Sequence, residues 1–147
     1  MKIPPLPLIY LLLGLVAVYF MYAYAPSLNV MPGYLSVLGL GLFALGIMAA
    51  LFAALTLRSR GTTVSFSRSS ALVVDGVFRK TRNPMYLALV AILAGAALMS
   101  GNVAALAVPP VAFAALTLHL VPLEEAKMQK EFGKDYLEYK EQTPRWL

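Results

Sequence analysis

Two long stretches of the sequence carry no lysine, arginine, aspartate or glutamate: residues 3–57 and residues 83–123. Each is long enough for two helical membrane spans of about 20 residues with a turn between them. The pattern predicts spans over Leu6–Ala25, Tyr34–Leu57, Pro84–Ser100 and Asn102–Val121. Turn residues stand between them: Pro26, Asn29, Pro32 and Gly33 after the first, Gly101-Asn102 after the third. Pro4, Pro5 and Pro7 suit a first helical turn, which needs no amide donors. Pro109-Pro110 falls in the middle of the fourth span and predicts a kink there. The second span contains Gly39, Gly41, Gly46, Ala49, Ala50, Ala53 and Ala54, and small residues of this kind let helices approach closely in lipid. Ordinary membrane composition explains them equally well.

The polar remainder falls into Lys2, a middle stretch 58–83 and a tail 122–147. The expected fold class is therefore all-α: a single-domain, polytopic membrane bundle of about four transmembrane helices plus a cytoplasmic amphipathic C-terminal helix. From Arg58 to Arg82 the bases are Arg58, Arg60, Arg68, Arg79, Lys80 and Arg82, against the single acid Asp75. The opposite connections, Pro26–Gly33 and Gly101-Asn102, carry no charge. Basic residues stay on the cytoplasmic side, so the middle stretch and both termini are expected there. A cleavable leader is the rival for the first span, with Ala23-Tyr24-Ala25 as its cleavage site. Pro26 immediately after the cut and the further spans downstream weigh against it.

Composition removes several function classes. The chain is 60% hydrophobic and 13% charged, with mean hydropathy +0.74. A water-facing surface needs roughly twice that charge. The net charge of +5 does not point to nucleic acid, because the bases of the middle stretch flank hydrophobic spans. With no cysteine and the single His119, thiol catalysis and cysteine or multi-histidine metal sites are excluded. His119 reads as a packing residue on the fourth span.

Three polar pieces converge on the cytoplasmic face. The first is Gly61-Thr62-Thr63 with the loop through Asp75-Gly76-Val77-Phe78-Arg79. The second is Arg82-Asn83-Pro84-Met85-Tyr86, where Asn83 reads as an N-cap and Pro84 as the first helical residue. The third is Glu124-Glu125, directly beyond the charge-free run. A carboxylate there is either a site residue or an acid favoured by a helix start at Pro122. Glu125, Met128, Phe132, Tyr136 and Tyr139 share one helical face, with Lys127, Lys130, Lys134, Glu138 and Glu141 opposite. This is an interfacial amphipathic helix or an aromatic wall over the helix starts, and Gly133 is a candidate break in it.

In order along the chain stand Gly76-Val77-Phe78-Arg79, Arg82-Asn83-Pro84-Met85-Tyr86-Leu87, Glu124-Glu125, Phe132-Gly133 with Tyr136 and Tyr139, and Pro144-Arg145-Trp146. This arrangement resembles the membrane superfamily of isoprenylcysteine carboxyl methyltransferases and phospholipid methyltransferases, from about Gly61 to the C-terminus. The resemblance implies S-adenosylmethionine (AdoMet) as cofactor. It implies a cofactor-binding set of Arg82, Asn83, Pro84, Tyr86, Leu87, Glu124, Glu125, Tyr136 and Tyr139. Glu125, supported by Glu124, is the expected catalytic residue, and Arg79 and Arg145 are the expected substrate-binding residues. No metal is implied. The expected partners are membrane lipids and a lipid-like substrate from the bilayer, a prenylcysteine-like carboxylate ahead of a phospholipid amine.

Two departures stand out. Asn83 replaces the family's usual histidine and cannot act as a base. Leu120-Val121-Pro122-Leu123 stands where many relatives carry an arginine before the acid pair. Asn83 is the variant of bacterial-looking members, which suggests a bacterial or archaeal inner membrane. The rival from another class is a non-enzymatic membrane scaffold that keeps the fold. AdoMet binding separates the two.

Overall fold

The computed structural model describes residues 6–61 and 72–147. The expectations attached to Lys2, Pro4, Pro5, Thr62, Thr63 and Arg68 fall outside them. The described chain is helical, without a strand, and folds as an all-α membrane bundle. Its α-helices are α1 (Leu6–Tyr24), α2 (Gly33–Ser59), α3 (Pro84–Ser100), α4 (Val108–Ala115) and α5 (Val121–Gln142). A 3₁₀ segment, Val103–Ala107, leads into α4, and a π-helical segment, Leu116–Leu120, joins α4 to α5. Three helical runs among the described residues are long and apolar enough to cross a membrane: Pro7–Tyr24, Gly33–Ser59 and Val103–Gln142. The 17-residue α3 is shorter, about 25 Å at 1.5 Å per residue.

α3 is the centre of the bundle. It buries Tyr86, Ala88, Leu89, Ile92, Leu93, Gly95 and Ala97 against neighbours on several sides. Leu93 meets Gly14 of α1, and Ile92 meets Gly46 of α2. At the crossing of α2 and α3 the backbones nearly touch. A Cβ on Gly95 would lie 2.5 Å from the Phe43 amide nitrogen and 2.7 Å from the Gly39 carbonyl oxygen. Lipid tails are as apolar as leucine, so such close packing, rather than a hydrophobic drive, holds the pair together. On the other side of α3, Val18, Tyr86, Leu89, Leu93, Leu116, Leu120 and Val121 form the main core.

Asn102 joins three segments at the end of the bundle away from Arg58–Arg82. Its side chain is fully buried. Its amide nitrogen shares two hydrogens among three acceptors, the carbonyls of Met21 and Ala25 and Asn29 Oδ1, while its Oδ1 accepts from the Ala104 amide. All four bonds are 3.0 Å or shorter. The turn that the sequence marks only as Gly101-Asn102 is thus a structural knot.

The prolines act differently from expectation. Pro109-Pro110 does not kink a continuous span; it stands in the first turn of α4, where the missing amides leave no bond unmade. Pro122 does not start a separate tail helix either. The helix runs through it from α4 into α5. A proline inside a helix collides with the carbonyl four residues earlier. Here that carbonyl belongs to Leu118, in the π-helical segment, whose wider turn accommodates the ring. Tyr10 of α1 ties into the same segment through a 2.8 Å hydrogen bond with His119 Nδ1.

Candidate functional site

The acid pair lies where the apolar part of the Val103–Gln142 run ends, beyond the stretch 102–121 that the sequence leads one to expect in the membrane. Past it, Gly133 leaves helical geometry (φ 53°, ψ −119°), a conformation that costs glycine least. The break lets the second half of α5 turn back onto the chain before α3. Tyr139 donates a 2.6 Å hydrogen bond to the Phe78 carbonyl, and Tyr136 is buried beside Arg82. The segment after α5 completes the return. The Arg82 amide donates to the Pro144 carbonyl, and Thr81 Oγ1 and Asn83 Nδ2 both donate to the Arg145 carbonyl. Trp146 packs on Phe113 of α4 with ring centroids 4.8 Å apart.

Glu125 is the hub of this arrangement. Its Oε1 accepts from Arg82 NH1 and from Arg145 Nε, each at 2.9 Å, and its Oε2 accepts from Arg145 NH2 at 2.8 Å. Arg145 therefore grips the carboxylate with two parallel bonds, the geometry a guanidinium is shaped for. Arg82 also donates from Nε to the Thr143 carbonyl and from NH1 to Tyr136 Oη. Its side chain is only 9% exposed, against 13% for Glu125 and 36% for Arg145. Burial pushes the Glu125 carboxyl upward, but Arg145, Arg82 and Lys140 outweigh it and hold the group below the ordinary carboxylate range.

Glu124 has a different environment. It is half-buried and faces the hydroxyl of Tyr86. The two are close enough to interact electrostatically, but the buried Tyr86 hydroxyl makes no close hydrogen bond. Burial raises the Glu124 carboxyl above its ordinary value, against the opposing pull of Tyr86 and Lys127. Neighbouring acids in sequence thus differ in character: one is locked as a carboxylate, the other is readier to take a proton.

The residues expected from the sequence do not all meet. Arg82, Asn83, Glu125, Tyr136 and Arg145 form one connected cluster, and Tyr86 with Glu124 adjoins it. Tyr139 anchors to Phe78 and stacks edge-on against Tyr136. Asn83 occupies the N-cap position of α3 but makes no side-chain cap; its Nδ2 donates to the Arg145 carbonyl. Arg79 is exposed, and among the described residues only its carbonyl takes part, accepting from Thr143 Oγ1 at 3.5 Å. Pro84 and Leu87 instead line an apolar groove of about 340 Å³ between α2 and α3, with Leu45, Gly46, Ala49 and Ala88. Lys80 and Thr81 line it too. Thr81 and Thr143, which clamp the returning segment, carry no signal in the hydrophobic pattern.

The family model for phospholipid methyltransferases matches residues 34–135, more than half of the chain. The chain belongs to the phospholipid methyltransferase family, a family of membrane methyltransferases. No curated protein matches it.

Proposed function

We propose that the protein transfers the methyl group of AdoMet to a lipid-borne acceptor at the cytoplasmic face of its membrane, and that the acceptor is an amine such as a phospholipid headgroup. The half-buried Glu124 beside the Tyr86 hydroxyl carries this reading. An amine must be neutral to attack a methyl carbon, so a nearby carboxylate with raised affinity for a proton suits it. The site fits the cofactor as well. Glu125 and Tyr136 suit a cationic, aromatic ligand, and the buried Tyr86 hydroxyl faces Glu124 without a close hydrogen bond. AdoMet would be held by these residues, with Arg82 and Asn83 behind them. When bound it supplies a methyl group on a sulfonium. The chain's own part is to orient both reactants, exclude water and accept the amine proton at Glu124.

A prenylcysteine-like carboxylate, the acceptor expected first from the sequence, is the second reading. Of the arginines near the site that could meet an anionic acceptor, Arg82 and Arg145 are occupied by Glu125. The exposed Arg79 is what remains to support it. Either acceptor has room for its chain in the groove between α2 and α3, where Ala88 and Ala91 leave space and Lys80 suits a phosphate. Gly95 and Ala97, small residues of the same helix, are consumed by packing instead.

The test is methyl transfer from labelled AdoMet to phosphatidylethanolamine, a farnesylcysteine analogue and a soluble thiol in parallel. Transfer to phosphatidylethanolamine is expected. Because Glu124 must be ionised to take a proton, the rate should rise with pH as Glu124 deprotonates, above the ordinary carboxylate range, and Glu124→Gln should remove that limb. Methylation of farnesylcysteine alone defeats the amine, and methylation of the thiol alone defeats the lipid acceptor.

The cytoplasmic placement rests on the bases that gather between Arg58 and Arg82. Single cysteines at Ser27 and Ser59 report on it in intact cells exposed to an impermeant thiol reagent. Ser27→Cys should react and Ser59→Cys should not; the reverse pattern inverts the orientation.

A further inference from the structure

The two arginines on Glu125 are not equivalent. Arg82 is built in: it is nearly buried, and besides Glu125 its backbone amide, Nε and NH1 are tied to Pro144, Thr143 and Tyr136. The Arg145 backbone is also fixed, by Thr81 and Asn83 on its carbonyl. Its guanidinium is another matter. It is about a third exposed, and among the described residues Glu125 is its whole set of polar partners. A half-buried carboxylate at the edge of an apolar bundle is costly without a counter-charge. One permanent cation and one held by its side chain alone would keep Glu125 neutralised while leaving one place on it open to exchange.

We infer that Arg145 is an internal stand-in for a ligand cation: its side chain swings off Glu125 when a ligand bearing an ammonium or sulfonium group binds, while the segment that carries it stays docked. This rests on the AdoMet reading above and names what that ligand must displace. It makes Arg145 a residue that sets affinity by competition, in contrast to the substrate-gripping role that the family resemblance implies. The two roles predict opposite signs. Removing a competitor tightens binding, whereas removing a ligand contact weakens it.

The experiment is calorimetric titration of AdoMet into the full-length protein in detergent, for the wild type, Arg145→Gln, Glu125→Gln and the double variant. Arg145→Gln should bind AdoMet about threefold to tenfold more tightly, the scale of one partly exposed ion pair. Arg145→Lys, which keeps a charge but loses the two-pronged grip, should fall between. The gain must vanish in the Glu125→Gln background. Trp146 is the sole tryptophan and sits on Phe113, so its emission reports whether the segment remains docked. Unchanged or weaker binding in Arg145→Gln overturns the inference and leaves the cofactor reading intact. So does a gain that survives Glu125→Gln. An emission shift in ligand-free Arg145→Gln also overturns it, by showing that the side chain holds the segment in place. If neither wild type nor Arg145→Gln binds AdoMet while both remain folded, the cofactor reading itself fails, and this inference with it.

Discussion

Glu125→Ala should destabilise the protein by about 3–5 kcal/mol, the cost of breaking a buried ion pair from one side. The loss falls on Arg82, whose nearly buried guanidinium would keep two hydrogen bonds, to Thr143 and Tyr136, but no counter-charge. Arg145 would lose its partner at little cost, because it is exposed enough to turn to water. Glu125→Gln keeps the volume and one acceptor oxygen, so it should cost less while still weakening AdoMet binding. Denaturation in mixed micelles, followed by helical circular dichroism, orders the three proteins. Equal stability of wild type and Glu125→Ala would mean that Arg82 finds another partner and that Glu125 is not the hub.

The same pair makes stability depend on acid. The Glu125 carboxyl is held below its unfolded value, so its contribution is complete above that value, near pH 4.3. It is lost as pH falls through the lower, folded value. Glu124 works in the opposite direction. Its raised carboxyl stays protonated to higher pH when folded, so ionising it above the unfolded value weakens the folded state slightly. Of the two, Glu125 is the acid that the fold depends on.

What was legible in the sequence is what repeats or what leaves a gap. Two charge-free stretches state a membrane bundle outright, and the order of short motifs states a membrane methyltransferase family. The spacing that puts Glu125 and Tyr136 on one face was legible, although Gly133 breaks the helix between them and they meet at Arg82 through the return of the second half of α5. The partners on that face were not. Arg82 reaches Glu125 across 43 positions and Arg145 reaches it across 20, from elements with no shared periodicity. Nothing in the sequence separates Arg79 from Arg82 and Arg145, and the fold shows that the last two are paired with Glu125. Asn102 is the same case in another place. Its four bonds involve Met21, Ala25, Asn29 and Ala104, and only the last is a neighbour in sequence. The prolines misled for a different reason. Pro122 is tolerated inside a helix only because a π-helical turn precedes it, and the pattern of apolar residues does not record such a turn.

Gly95→Val should be the most damaging single substitution in the membrane-spanning part. A β-branched side chain there would begin 2.5 Å from one backbone atom of Phe43 and 2.7 Å from another of Gly39. Neither is the end of a flexible side chain that can step aside, so α2 and α3 must move apart along their crossing. Overpacking of this kind costs roughly 1–3 kcal/mol in a soluble core. In lipid the separated surfaces gain nothing from excluding water, and the van der Waals contact that joined them is lost. The effect should therefore reach the upper end of that range. It should also disturb the groove, whose walls, Gly46 and Ala49 on one side and Ala88 and Ala91 on the other, belong to the same two helices. Gly41→Ala is the matched control. It lies on the same α2, is exposed, and has nothing within 4 Å of its added carbon. Replacing a mid-helix glycine by alanine should leave stability unchanged or raise it by up to about 1 kcal/mol. Unfolding in detergent titrations, run side by side, decides the matter. If Gly95→Val and Gly41→Ala unfold alike, the close approach of α2 and α3 does not hold the bundle together.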